Sequence, residues 1–150
     1  MKKFLALVLV ISLSLCFSIS AFASADSVIL INGVLAPIDP SMGSVKNISD
    51  RTFVPVRFVL EYFNFDVTWD GADQVVMGKN AEGDVFVMQV SNPVLSVRHS
   101  DGSFESILMD VSPLLFSDEG RTYIPVRFLA QAIGYKVSYE ELTGTVMLDK

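Results

Sequence analysis

Residues 51–77 read RTFVPVRFVLEYFNFDVTWDGADQVVM, and residues 121–147 read RTYIPVRFLAQAIGYKVSYEELTGTVM, seventy positions further on. Laid over each other without a gap, they share Arg51/Arg121, Thr52/Thr122, Pro55/Pro125, Val56/Val126, Arg57/Arg127 and Phe58/Phe128. Val67/Val137, Val76/Val146 and Met77/Met147 also coincide. Other pairs exchange like for like, among them Phe53/Tyr123, Trp69/Tyr139 and Asp70/Glu140. An internal repeat sets the architecture before any single residue is read.

Each copy opens on β-branched and aromatic residues, which suit a short strand. Pro55 and Pro125 then close the ladder, because proline has no N–H to donate, and their fixed φ suits a helix start. Apolar residues at helical spacing predict helices over about 55–63 and 125–133. Helices this short hold only by packing an apolar face. Asn64 and Gly134 follow, the two residue types that accept a left-handed cap at least cost. Phe65–Trp69 with Gln74–Met77, and Tyr135–Tyr139 with Thr145–Leu148, then read as hairpins. Period-2 alternation puts Val67 with Trp69, and Val137 with Tyr139, on one face. Each hairpin is expected to pair with the first strand of its own copy and to cover the helix. The expected fold class is α+β: antiparallel β-sheets, each packing a short α-helix, in a tandem internal repeat.

The run R-T-aromatic-β-branched-P-V-R-F, the short helix, the stretch GYKVSYE at 134–140 and the closing Thr-Val strand resemble the copper amine oxidase N-terminal-like domain, often called the stalk domain. The resemblance covers nearly all of residues 24–150, in two repeats of about 26–80 and 84–150. It implies a small antiparallel sheet wrapped on a helix, and a place among exported proteins of Gram-positive bacteria. It does not imply oxidase chemistry.

Residues 1–23 read as a secretory signal peptide. Lys2 and Lys3 form a basic start, an apolar run follows, and Ala21-Phe22-Ala23 is a small-residue cleavage site. Cutting falls between Ala23 and Ser24, with a cut after Ala25 as the alternative. The single cysteine, Cys16, leaves with the leader, so disulfide and thiol chemistry are excluded from the remainder. Losing Lys2 and Lys3 takes the formal charge from −6 to −8. That acidity excludes nucleic acid and an anionic membrane surface as partners.

Between leader and first repeat, Val28–Leu35 reads as a hairpin about Asn32-Gly33. Residues 37–50 and 110–120 read as loops leading into the two copies. The alternating run Asp84–Val90 is apolar on both faces and reads as a central strand. Pro93–Met109 reads as two strands about the turn His99–Gly102.

Catalytic patterns are missing from the sequence. His99 is the only histidine, and one imidazole cannot build a copper or zinc site. There is no glycine-rich phosphate loop, and the serines have no triad partner. Asp70 with Asp73, and Glu140 with Glu141, fall at hairpin tips, where solvated acids are ordinary. No catalytic, cofactor-binding or metal-binding residue is expected, and the chain reads as a non-enzyme.

Two sets of residues stand out. Arg57 and Arg127 lie in the first helical turn, where a cation opposes the helix dipole at a cost of about 0.3–1 kcal/mol. They are expected to reach strand carbonyls, or the carboxylates of Asp70 and Glu140, and so pin helix to hairpin. Trp69 and Tyr139 suit hairpin packing, or else a sugar-stacking surface, which requires both rings to be exposed. The function expected is a secreted, non-catalytic module that binds or spaces components at the bacterial cell envelope. Its partner would be wall polysaccharide or another exported protein. The alternative is a structural protein that dimerises through sheet edges or an apolar patch.

Overall fold

The computed structural model describes residues 27–150. The leader over 1–23 and both cleavage positions, between Ala23 and Ser24 or after Ala25, lie outside the described residues. In chain order the elements are β1 (Ile29–Ile31), β2 (Val34–Leu35), a 3₁₀ turn (Pro40–Met42), β3 (Lys46–Ile48), β4 (Arg51–Pro55), α1 (Val56–Tyr62), β5 (Asp66–Asp70) and β6 (Val75–Lys79). There follow β7 (Val85–Gln89), β8 (Val94–Arg98), β9 (Phe104–Leu108), β10 (Leu114–Phe116), β11 (Arg121–Pro125), α2 (Val126–Ala132), β12 (Lys136–Glu140) and β13 (Thr145–Asp149).

The strands form three sheets, ordered β10-β11-β4-β3, β5-β6-β7-β8-β9 and β12-β13-β1-β2. The first is the centre of the molecule. In it β4 and β11 lie antiparallel, with Val54 opposite Ile124, Phe53 opposite Pro125 and Pro55 opposite Tyr123. Exchanging the two RT-x-x-P strands maps this register onto itself, so a local two-fold axis passes between Val54 and Ile124. Both of these side chains are fully buried.

This pairing corrects the expected one. The first strand of each copy pairs with its counterpart, not with its own hairpin. The β5–β6 hairpin instead receives β7 on the β6 side. The β12–β13 hairpin receives β1, from the other end of the described chain, and receives it parallel. The sheets are therefore mostly, not wholly, antiparallel. The physical reason lies in Pro55 and Pro125. Each is extended at φ near −60° and turns the chain directly from strand into helix, which carries the hairpin off into a different sheet.

The helices pack against these strands. α1 lies against β4, β5 and β11, and α2 against β4, β11 and β12. Both start one residue later than expected, with the proline just outside. Asn64 at φ 60° and Gly134 at φ 80° adopt the left-handed conformation that ends them. Leu60 of α1 fills its junction with β6, where a Cβ on Gly78 would come within 2.8 Å of Leu60 Cδ1. At the equivalent positions the sizes are reversed: Ala130 on α2 and Leu148 on β13, both buried.

Two short strands, β3 and β10, fall inside segments that read as loops. Each pairs with the RT strand after it. Ser49 and Asp50, at φ 48° and 59°, form a two-residue turn between β3 and β4. Four residues, 117–120, make the corresponding turn between β10 and β11. The hairpins about Asn32-Gly33 and His99–Gly102 form as expected, and β7 is the central strand of its sheet.

Candidate functional site

Two clefts flank the central β4–β11 pair. The larger, about 790 Å³, is lined by Pro125, Val126, Arg127, Val137, Tyr139 and Val146 of one copy. Across from these stand Arg51, Thr52 and the β3–β4 turn of the other copy, with Asp110. The smaller, about 550 Å³, is lined by Pro55, Val56, Arg57, Val67, Trp69 and Val76. Across from these stand Arg121, Thr122 and the β10–β11 turn with Glu119. Most of the two linings correspond at the seventy-residue spacing, with the contributions of the two copies exchanged, but Asp110 and Glu119 do not occupy equivalent positions. Both volumes lie within the range of about 300–1,000 Å³ usual for small-molecule sites.

Trp69 and Tyr139 stand at equivalent places in these clefts. Each sits near the end of the strand that follows its helix. Packing of the kind expected for a hairpin core would bury them, yet Trp69 is 41% exposed and Tyr139 50%. Their strand neighbours two residues back, Val67 and Val137, are half-buried against the core.

Arg57 and Arg127 also face these clefts, but the expected pinning is not formed. Arg57 Nη1 donates to Glu61 Oε1 one helical turn on, at 3.1 Å, with both side chains largely exposed. Arg127 has no ion pair among the described residues. Asp70 instead accepts from the backbone N–H groups of Ala72 and Asp73, and Glu140 from that of Leu142. Each carboxylate closes its own hairpin turn, and short side chains at a turn find nearby N–H groups more readily than a distant guanidinium.

The arginines that join distant segments are Arg51 and Arg121. Arg51 donates twice to Asp110, from Nε at 2.8 Å and Nη2 at 2.6 Å. That bond, helped by the nearby Arg127 charge, holds the Asp110 carboxyl below its usual value. Arg121 donates to the Ser41 carbonyl in the 3₁₀ turn and to the Glu119 carbonyl. Each RT arginine thus clasps the segment that leads into the other copy's hairpin. The signal was present in the sequence as the repeated Arg-Thr pair.

One polar cluster has no counterpart in the other copy. Lys46 Nζ reaches Glu119 Oε1 at 2.5 Å and lies over the rings of Phe116 and Tyr123. The fully buried Tyr123 donates its hydroxyl to Glu119 Oε2 at 2.6 Å. Burial first, then this bond, pushes the Tyr123 phenol up to about 12. Lys46 and Tyr123 together hold Glu119 below the usual carboxylate range. In the first copy Phe53 stands where Tyr123 does, and Ser49 stands where Glu119 does.

His99 lies in its turn, with Nδ1 4.0 Å from Asp84 and Nε2 3.6 Å from Glu105. Among the described residues no group of three or more His, Cys, Asp or Glu side chains is placed to hold a metal. No helix of the described residues is long and apolar enough to cross a membrane.

The family model for the copper amine oxidase N-terminal domain matches residues 31–148. The chain belongs to the copper amine oxidase N-terminal domain family. The match spans every described strand of the three sheets, apart from a residue or two at either end, and both clefts. In the oxidases this domain is a non-catalytic part of the protein. Neither a curated protein nor a solved structure matches the chain.

Proposed function

We propose that the chain is an exported, non-catalytic module of the bacterial cell envelope. It is built from two copies of one unit and binds wall polysaccharide through Trp69 and Tyr139. The observation that carries this reading is the exposure of both rings, each in a cleft beside two arginines and at least one carboxylate. An exposed indole or phenol offers a flat, electron-rich face to the C–H face of a sugar. Guanidinium groups donate hydrogen bonds to hydroxyl oxygens, and carboxylates accept them from hydroxyl groups. Charges of both signs in each cleft favour a neutral ligand over an anionic one. The leader over residues 1–23 supports export, and the family's place in the oxidases supports a non-catalytic role.

A second reading rests on the edge strand β9. Its Phe104 is 77% exposed and its Leu108 73%, and an open apolar edge invites a second chain. The two readings separate in one experiment. Purified chain is mixed with cell-wall sacculi at low and high salt, alongside the Trp69→Ala/Tyr139→Ala double variant. Retention of the parent at both salts, with loss in the double variant, is expected. A parent that stays in solution while sedimenting as a dimer sinks the polysaccharide reading in favour of β9.

A further inference from the structure

We infer that the two clefts are separate glycan sites, each taking its own strand, so that one molecule bridges two wall glycans. The inference rests on the polysaccharide reading above and adds to it the number of sites and their direction.

The register of β4 against β11 is its basis. The axis that exchanges two antiparallel neighbours stands perpendicular to their sheet. It therefore carries one cleft into the other on the same face, at the opposite end of the pair. Arg51 lines one cleft and Pro55 the other. At about 3.3 Å per strand residue, four steps separate them by roughly 13 Å along β4.

A polysaccharide has a direction, with distinct reducing and non-reducing ends. A strand lying along this face that suits Trp69, Arg57 and Arg121 in one cleft would meet Tyr139, Arg127 and Arg51 in the other running backwards. One continuous strand cannot satisfy both. Two strands in opposite directions can, each with a ring beneath it and two guanidinium groups beside it. The chemistry in each cleft is complete in itself: one exposed aromatic ring, two arginines, one threonine, and either Glu119 alone in the smaller cleft or Asp50, Asp110 and Glu141 in the larger. The carboxylates differ in their ties, since Asp110 is held by Arg51 and Glu119 by Lys46 and Tyr123. The clefts are therefore equivalent in plan and unequal in strength.

Soluble glycan strands released from purified sacculi, titrated calorimetrically into the full chain, test this. Two strands per chain are expected, falling to one in Trp69→Ala and in Tyr139→Ala and to none in the double variant. The remaining site in each single variant should keep its affinity within about twofold, as independent sites do. The parent should also clump sacculus fragments, while either single variant binds them without clumping. Trp69→Phe keeps a ring and should restore both the second strand and the clumping. Thermal melts establish that the variants are folded. One strand per parent chain, or complete loss of binding in either single variant, overturns bivalency and leaves the polysaccharide reading standing. No heat with the parent chain overturns that reading and this inference with it.

Discussion

At the scale of single residues, two contacts carry consequences that sequence copies alone would not suggest. Leu60 fills the space over Gly78, whereas the other copy places Ala130 and Leu148 at those positions. The same junction is filled from the helix in one copy and from the strand in the other. Leu60→Ala should cost about 2–5 kcal/mol, the usual range for emptying a buried leucine site. Adding Gly78→Leu should return most of that loss, read as the urea midpoint of the double variant against the single. A double variant no more stable than Leu60→Ala would show that the junctions are not interchangeable. The Tyr123–Glu119 bond predicts a pH dependence. Tyr123 has its pKa raised from 10 to about 12 on folding, so its contribution is full below pH 10 and is lost as pH rises from 10 through about 12. Glu119 is lowered from 4.5, so its contribution is full above that value and is lost as pH falls below it through the depressed pKa. Melting temperature measured against pH should fall at both ends, and Tyr123→Phe should flatten the alkaline fall.

At the scale of elements, the proline-ended strands decide the rest. Phe53 and Tyr123, with Val54 and Ile124, sit in the central sheet, and Ile124→Ala should cost about 2–5 kcal/mol. The arginines divide by position. Arg57 holds only an exposed partner one turn on, a kind of pair that contributes about 0.3–0.5 kcal/mol, and Arg127 holds none among the described residues. Alanine at either should melt close to the parent. Arg51→Ala and Arg121→Ala should melt lower, because each releases a segment from the opposite copy. Melts of the four variants check this ordering, and Arg127→Ala falling below Arg51→Ala would refute it. The strand, helix, cap and hairpin were all legible in residues 51–77, because proline, Asn64 and period-2 alternation are local signals. The partners of those strands were not legible. Nothing in RTFVP says that its neighbour is RTYIP, since pairing depends on where the whole chain returns. β3 and β10 escaped for another reason: at three residues each, they are too short for a period to show. The rings Trp69 and Tyr139 were picked out by their place in the repeat. Their exposure was hidden, because alternation assigns a face and cannot say where the covering helix ends.

At the scale of the whole molecule, the polar joint KNAEG at 79–83 separates two copies in sequence but not in space. β1 completes the sheet of β13, β7 completes that of β6, and β4 lies against β11. A chain cut at this joint should leave 27–80 and 84–150 each unable to fold alone, read by circular dichroism, while the two mixed should regain strand signal. Either half folding on its own would show that the exchanged pairings are dispensable. The same interleaving builds each cleft from both copies. Trp69 is the only tryptophan in the chain, and its ring lies in the smaller cleft. Its fluorescence therefore reports on that site without any label. Titrating soluble wall glycan into the intact chain should shift Trp69 emission to the blue, saturably, and shield it from acrylamide quenching. Emission and quenching that stay unchanged at glycan concentrations saturating the sacculus assay would contradict binding at this cleft.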